Sequence, residues 1–121
     1  MTPPRALVSV LTVLAVSTLV GCAAEPVRAS AGSYVGRTVA EAIKAAPEGD
    51  AANSYDLSTE VLDEEPTMDA ATDAPSSFEV VAACYDGAEL HLGVIPLTGV
   101  TNDIRERARA GEYDKLVPGC N

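Results

Sequence analysis

The sequence has 121 residues, with 18 Asp and Glu against 8 Lys and Arg, a formal net charge of -10 and 47% hydrophobic residues. A chain of this length is expected to form one domain, because domains usually contain about 100–150 residues. The acidity excludes nucleic-acid binding through the phosphate backbone and adsorption to an anionic membrane through basic side chains, because both need clustered Lys and Arg.

The first 21 residues have the pattern of an export signal. One basic residue, Arg5, precedes the uncharged apolar run Ala6–Val20, and the small residue Gly21 follows. The run is shorter than the about 20 apolar residues that a membrane-spanning helix needs. We therefore predict a signal peptide over residues 1–21, cleaved between Gly21 and Cys22.

The cleavage point carries a second signal. Leu19–Cys22 reads Leu-Val-Gly-Cys, which resembles the lipobox of bacterial lipoproteins. In that family the cysteine thiol is alkylated by diacylglycerol and the peptide is cut just before it. The resemblance implies that Cys22 carries acyl chains, which hold the protein on the extracytoplasmic face of the cell membrane. The alternatives are an uncleaved N-terminal anchor and an ordinary signal peptide with a chance cysteine.

The part of the chain behind Cys22 divides into a tether and a domain. Residues 22–33 are small and polar and include Pro26, a composition typical of a flexible tether. The domain is expected over residues 34–121.

The remaining cysteines predict one disulfide. If Cys22 carries lipid, Cys84 and Cys120 are left, and an even pair in an oxidising compartment usually forms a bond. That bond would close a loop of about 37 residues and contribute about 3–4 kcal/mol. A zinc or redox site lacks support, because there is no C-x-x-C motif and His91 is the only imidazole. We expect no metal and no cofactor.

The first half of the domain reads as a helix, a strand and an acidic loop. A T-x-x-E capping box, Thr38 to Glu41, predicts a helix over Thr38–Ala46. Its apolar face is expected to pack on a sheet, and its members are Val39, Ala42, Ile43 and Ala46. A strand is predicted over Ser54–Thr59, and an exposed loop over Glu60–Ser77.

The second half reads as a hairpin, a helix and a tail. Strands are predicted over Ser77–Cys84 and Ala88–Ile95, joined by a type I′ turn at Asp86-Gly87. A helix over Thr101–Ala110 ends at Gly111. The predicted fold class is α+β: a short helix packed on a three-stranded antiparallel sheet, with a second short helix and a disulfide-tied C-terminal tail.

Two segments carry a family resemblance. Tyr34–Ala46 (YVGRTVAEAIKAA) and the segment AELHLGVIP, which ends at Pro96, resemble the opening and the last strand of a PASTA domain. The likeness is to actinomycete-type lipoproteins with a single PASTA-like domain, and it implies non-catalytic binding of cell-wall muropeptides or of proteins. The family's Pro-containing turn before the last strand is replaced here by CYDGAE, and the C-terminal segment lies outside the module.

Two pairs of side chains are candidate binding residues. Arg105 and Arg109 lie four residues apart on one helix face, where they can engage a carboxylate of a muropeptide or of the acidic loop. Tyr55 and Tyr85 can stack on a sugar, although such tyrosines more often form the edge of a core.

Two further clusters are weaker candidates. A Ca²⁺ site is conceivable in the acidic loop, but the EF-hand spacing is absent and a solvated loop is the favoured interpretation; the residues concerned are Asp63, Glu64, Glu65, Asp69 and Asp73. Glu89 and His91 form a possible acid–base pair. No nucleophile accompanies it, and His91 is expected to be a partly exposed strand residue.

The sequence therefore predicts a lipid-anchored protein that is not an enzyme. The hypothesis is a non-catalytic binding module at the cell envelope, with peptidoglycan fragments as the candidate ligand. The alternative is a regulatory or inhibitory module for another envelope protein. Its partners would be the lipid bilayer, through the acyl chains, and peptidoglycan or an envelope protein, but no nucleic acid.

Overall fold

The computed structural model describes residues 29–67 and 74–120. Its strands are β1 (Ala51–Asp56), β2 (Phe78–Asp86) and β3 (Glu89–Pro96), and its α-helices are α1 (Val39–Ala45) and α2 (Asn102–Arg109). Short 3₁₀ turns and one π-helical turn join them, over Ala31–Tyr34, Ser58–Leu62, Pro75–Ser77, Leu97–Gly99 and Asp114–Leu116. The predicted α+β class is confirmed. None of the helices in the described ranges has the length and hydropathy needed to cross a bilayer.

The sheet is mixed, and its strand order is β1-β3-β2. β2 and β3 form the predicted antiparallel hairpin, but β1 pairs with β3 in parallel, with Ala51 opposite Glu89. The prediction of a purely antiparallel sheet is therefore wrong. The reason lies in the connection between β1 and β2, residues 57–77, which is long enough to place β1 on the far side of β3 instead of beside β2.

The hairpin turns one residue later than predicted. Asp86 is the last residue of β2 and lies opposite Glu89, so Gly87 and Ala88 form the turn. Gly87 has φ +62°, whereas Ala88 is not among the described residues with positive φ. A positive φ at the first central position alone is the type II′ pattern, which favours glycine there. The expected type I′ turn at Asp86-Gly87 is therefore wrong.

β1 also lies earlier than predicted, at Ala51–Asp56 instead of Ser54–Thr59. The Asp56 side chain accepts a hydrogen bond from the backbone N–H of Ser58 at 2.8 Å. A local bond of this kind competes with strand pairing, and Ser58–Leu62 forms the π-helical turn.

A bulge in β2 lets both faces of the sheet carry a core. The register shifts between Val80 and Ala82, so Val80 and Ala83 face α1 while Val81 and Ala82 face the opposite side. The first core, on the α1 side, contains Tyr34, Val39, Ala42, Phe78, Val80, Ala83, Leu90, Leu92 and Val94. The second core, on the α2 side, contains Leu57, Val81, Ala82, Ile95, Ala108 and Val117.

The two helices form where the capping signals predicted them. Thr38 Oγ1 accepts from the backbone N–H of Glu41 at 3.1 Å, and Glu41 Oε1 accepts from that of Thr38 at 2.9 Å, which completes the capping box. Thr101 caps α2, and Gly111 follows its end with φ +78°. Ile43 is 49% exposed, so its predicted place on the packed face of α1 is wrong; this seven-residue helix buries only Val39 and Ala42.

Candidate functional site

Three ligand-type side chains meet at the turn end of the hairpin. Asp86 lies opposite Glu89, and Cys84 lies opposite His91. Alternate residues of a strand point to the same face. The side chains of these three residues and of Cys84 therefore share the face that carries the second core. A carboxylate oxygen of Asp86, one of Glu89 and a ring nitrogen of His91 all lie within 4.8 Å of one another.

His91 is buried, with its side chain 7% exposed. Its Nδ1 lies 3.2 Å from the hydroxyl of Tyr55 on β1, within hydrogen-bond distance. Its Nε2 is buried and has no hydrogen-bond partner among the described residues. Among the described residues, the carboxylate oxygen paired with Nε2 is Glu89 Oε2, which is 3.8 Å away and therefore beyond hydrogen-bond distance.

The C-terminal tail covers this histidine. Cys84 and Cys120 form the predicted disulfide, with 5.6 Å between their Cα atoms. Next to it, Gly119 has φ +94°, and a Cβ at that position would lie 2.9 Å from His91 Nε2. Glycine is therefore needed both for the backbone conformation and for the close approach to the ring. The prediction of a partly exposed His91 is wrong, because the tail packs on it.

The two predicted binding arginines have different surroundings. Arg105 donates from Nε and Nη2 to the two carboxylate oxygens of Glu79, at 3.0 and 2.9 Å. The hydrogen bonds to Glu79, followed by its charge, raise the pKa of Arg105. This contact fastens α2 to β2 and occupies the guanidinium. Arg109 is exposed and has no ion pair with any described residue.

The two predicted binding tyrosines lie on opposite faces of the sheet. Tyr85 packs at the first core, where its ring meets that of Tyr34 edge-on at 6.3 Å and the two hydroxyls are 3.2 Å apart. Tyr55 packs at the second core, with its ring 5.9 Å from that of His91. They therefore do not form one stacking platform.

The acidic loop falls partly outside the described residues. Asp63, Glu64 and Glu65 are exposed, whereas Asp69 and Asp73 lie in the range 68–73, which is not described. The Ca²⁺ hypothesis therefore lies partly outside the described residues, and the metal-type cluster within residues 29–67 and 74–120 is the one at the hairpin end.

The sequence predicts two of the three members of this cluster, Glu89 and His91. The spacing of Glu89 and His91, two residues apart on one strand, already places them on one face. Asp86 was missed because it was assigned to the turn. In the observed register it is a strand residue, and the pattern D-x-x-E-x-H across a two-residue turn would have identified all three.

The comparisons with known proteins give no relative from which to interpret the site. No family model matches the chain, and neither the curated proteins nor the solved structures give a match.

Proposed function

We propose that the chain is an exported lipoprotein that acts as a non-catalytic binding module at the cell envelope. The observation that carries the proposal is the pairing of two of its three cysteines. Cys84 and Cys120 are joined, a bond that persists in oxidising compartments outside the cytoplasm. This leaves Cys22, separated from the apolar run only by Gly21, as the cysteine available for lipid.

The chain length behind Cys22 suits a short tether. The 3₁₀ turn Ala31–Tyr34 already packs on the first core through Ala31 and Tyr34. Residues 23–30 can therefore separate the lipid from the domain by at most about 28 Å. The acidic net charge of the chain would keep the domain from lying on anionic lipid, so its surface stays available to neighbours in the envelope.

Peptidoglycan fragments are the ligand class that we propose first. Their stem peptides carry carboxylates, which a guanidinium binds through charge-assisted hydrogen bonds. Arg109 is the candidate residue for this contact, because it is exposed and free of described ion pairs, whereas Arg105 is held by Glu79.

Retention of the full-length protein on purified peptidoglycan tests this ligand. The protein would be extracted in a mild detergent and incubated with insoluble wall material. We expect retention by the wild type, weaker retention by Arg109→Gln and no change for Arg107→Gln. Arg107 is the matched control because it lies on the same helix and pairs with Asp103 at 3.2 Å. Absence of wild-type retention would remove the wall as the ligand.

A protein partner is the second candidate, favoured by the outer edge of β1. β1 is a terminal strand of the sheet, and within the described residues no strand pairs with its outer edge. Ala51 and Leu57 donate their N–H groups toward β3, so by alternation those of Ala52 and Ser54 point outward. An exposed strand edge of this kind can accept a strand of another protein.

Two substitutions at one position test this alternative. Ser54→Pro removes an outward N–H that another strand would need, and edge strands tolerate proline at such positions. Ser54→Ala is the matched control. A partner that binds through this edge would be captured from native membranes by the wild type and Ser54→Ala but not by Ser54→Pro. Equal capture by all three would exclude the edge as the binding surface.

A further inference from the structure

We propose that Asp86, Glu89 and His91 form a binding site for a divalent transition-metal ion at the turn end of the hairpin. The site goes beyond the binding module proposed above, which assigns no metal to the chain. It combines one imidazole nitrogen with two carboxylates, a donor set that Zn²⁺ accepts with water in the remaining position.

The buried Nε2 atom of His91 supports this site. A buried polar nitrogen without a hydrogen-bond partner is unfavourable, and most such atoms in proteins are satisfied. Nε2 has no partner among the described residues, and its 3.8 Å separation from Glu89 Oε2 is too long for a direct hydrogen bond. Two donor atoms bound to one tetrahedral Zn²⁺ at about 2.0–2.2 Å lie about 3.4 Å apart, so the exposed Glu89 side chain has to move its carboxylate by only about 0.4 Å to share an ion with Nε2.

Two side chains of like charge face each other beside that nitrogen. Asp86 and Glu89 occupy directly opposite positions of the antiparallel hairpin, where like charges destabilise the pair. Within residues 29–67 and 74–120, neither carboxylate forms an ion pair with Lys or Arg; the ionic contact of Glu89 is with His91. A divalent cation would neutralise both carboxylates at once.

The orientation of the imidazole also suits a metal ion. The Tyr55 hydroxyl lies 3.2 Å from Nδ1 and can accept a hydrogen bond from an Nδ1–H. In that tautomer the lone pair of Nε2 is free for a metal. Metal-binding histidines usually donate their other N–H in this way, which fixes the ring orientation. Gly119, packed against the ring, limits its rotation further.

The carboxylates provide the entry path. Asp86 is exposed and the Glu89 side chain is 55% exposed, so both can bind an ion from solvent and deliver it to the buried nitrogen. A nitrogen ligand distinguishes the site from one for Ca²⁺, which prefers oxygen ligands only.

The single histidine of the chain makes the test direct. The full-length ¹⁵N-labelled protein in detergent micelles would be titrated with ZnCl₂ while the ring nitrogen signals of His91 are recorded by NMR. We expect saturation at one equivalent, with the larger change at Nε2 and a proton retained on Nδ1. CaCl₂ should leave the signals unchanged.

Three isosteric substitutions complete the experiment. Asp86→Asn and Glu89→Gln replace exposed side chains, and each should weaken Zn²⁺ binding about tenfold or more because an uncharged amide replaces a carboxylate ligand. Glu106→Gln, at an exposed position of α2, is the matched control and should bind like the wild type. The proposal is overturned if ZnCl₂ leaves the wild-type His91 signals unchanged, if CaCl₂ shifts them equally, or if Asp86→Asn and Glu89→Gln titrate like Glu106→Gln.

Discussion

Arg105 and Glu79 form a two-hydrogen-bond ion pair that fastens α2 to β2. The Nε and Nη2 atoms of the arginine donate to the two carboxylate oxygens at 3.0 and 2.9 Å. The arginine reaches solvent, whereas the Glu79 side chain is only 5% exposed. A buried carboxylate is tolerated because this partner neutralises it.

Removing the arginine should therefore leave the Glu79 carboxylate without a partner. We expect Arg105→Met to lower the free energy of unfolding by about 2 kcal/mol, because Glu79 would stay buried without its partner. The double variant Glu79→Leu/Arg105→Met should recover most of that loss. Urea denaturation of each variant measures the effect. The exposed Arg109→Met is the control, expected within about 0.5 kcal/mol of the wild type, and an equal loss at positions 105 and 109 would contradict this role.

The disulfide should contribute more to the free energy of unfolding than any other single interaction. Cys84 and Cys120 are 36 residues apart in sequence, and the chain-entropy model assigns a loop of this length about 3–4 kcal/mol. We expect Cys120→Ser to lose that amount in urea denaturation and to expose His91 to modification by diethyl pyrocarbonate. Cys22→Ser leaves the bond intact and serves as the control. Unchanged stability and unchanged His91 reactivity in Cys120→Ser would refute the role of the tail as a cover.

Gly93 is required by the packing of the second core. A Cβ at this position would lie 2.5 Å from Leu57 Cδ1 and 2.7 Å from Val117 Cγ2. We expect Gly93→Ala to cost about 1–3 kcal/mol of unfolding free energy through overpacking. Gly32→Ala is the matched control, since a Cβ there meets nothing within 4 Å. Thermal unfolding of both variants checks the prediction, which fails if the two have equal midpoints.

The capping box of α1 should make a small part of the stability depend on pH. The backbone N–H and then the side chain of Thr38 lower the pKa of Glu41 from its ordinary 4.5, and Arg37 adds a small charge effect. Because the folded pKa lies below the unfolded one, the stabilisation is present above about pH 4.5 and is lost as the pH falls through the folded pKa.

The difference in unfolding free energy between wild type and Glu41→Gln measures this contribution. We expect the unfolding free energy of the wild type to increase relative to that of Glu41→Gln as the pH rises from about 3 to about 6. Above about pH 6 the difference should level off. A difference that stays constant across this range would show that the ionised Glu41 adds nothing to the cap.

The features that the sequence predicted correctly depend on nearby residues or on the number of cysteines. The capping box of Thr38 and Glu41 marks the start of α1. Thr101 marks the start of α2, and Gly111 marks its end. The disulfide followed from the number of cysteines left after Cys22. These signals need no knowledge of distant contacts.

The features that it missed depend on distant contacts. The parallel position of β1 depends on its pairing with β3, which lies beyond β2 in the chain, and the burial of His91 depends on Gly119, which lies far along the chain. The turn was misplaced by one residue because Asp-Gly suits one turn type and Gly at the first position suits another. That shift hid Asp86 as a member of the hairpin cluster.

Intact-mass and peptide mass spectrometry of the native protein, purified from membranes, determines whether Cys22 is the lipidated first residue. We expect a polypeptide whose first residue is Cys22, with diacylglycerol bonded to its sulfur, and a cross-linked peptide that joins Cys84 to Cys120. A native chain that still begins at Met1, or one that begins at Cys22 with an unmodified thiol, would contradict it.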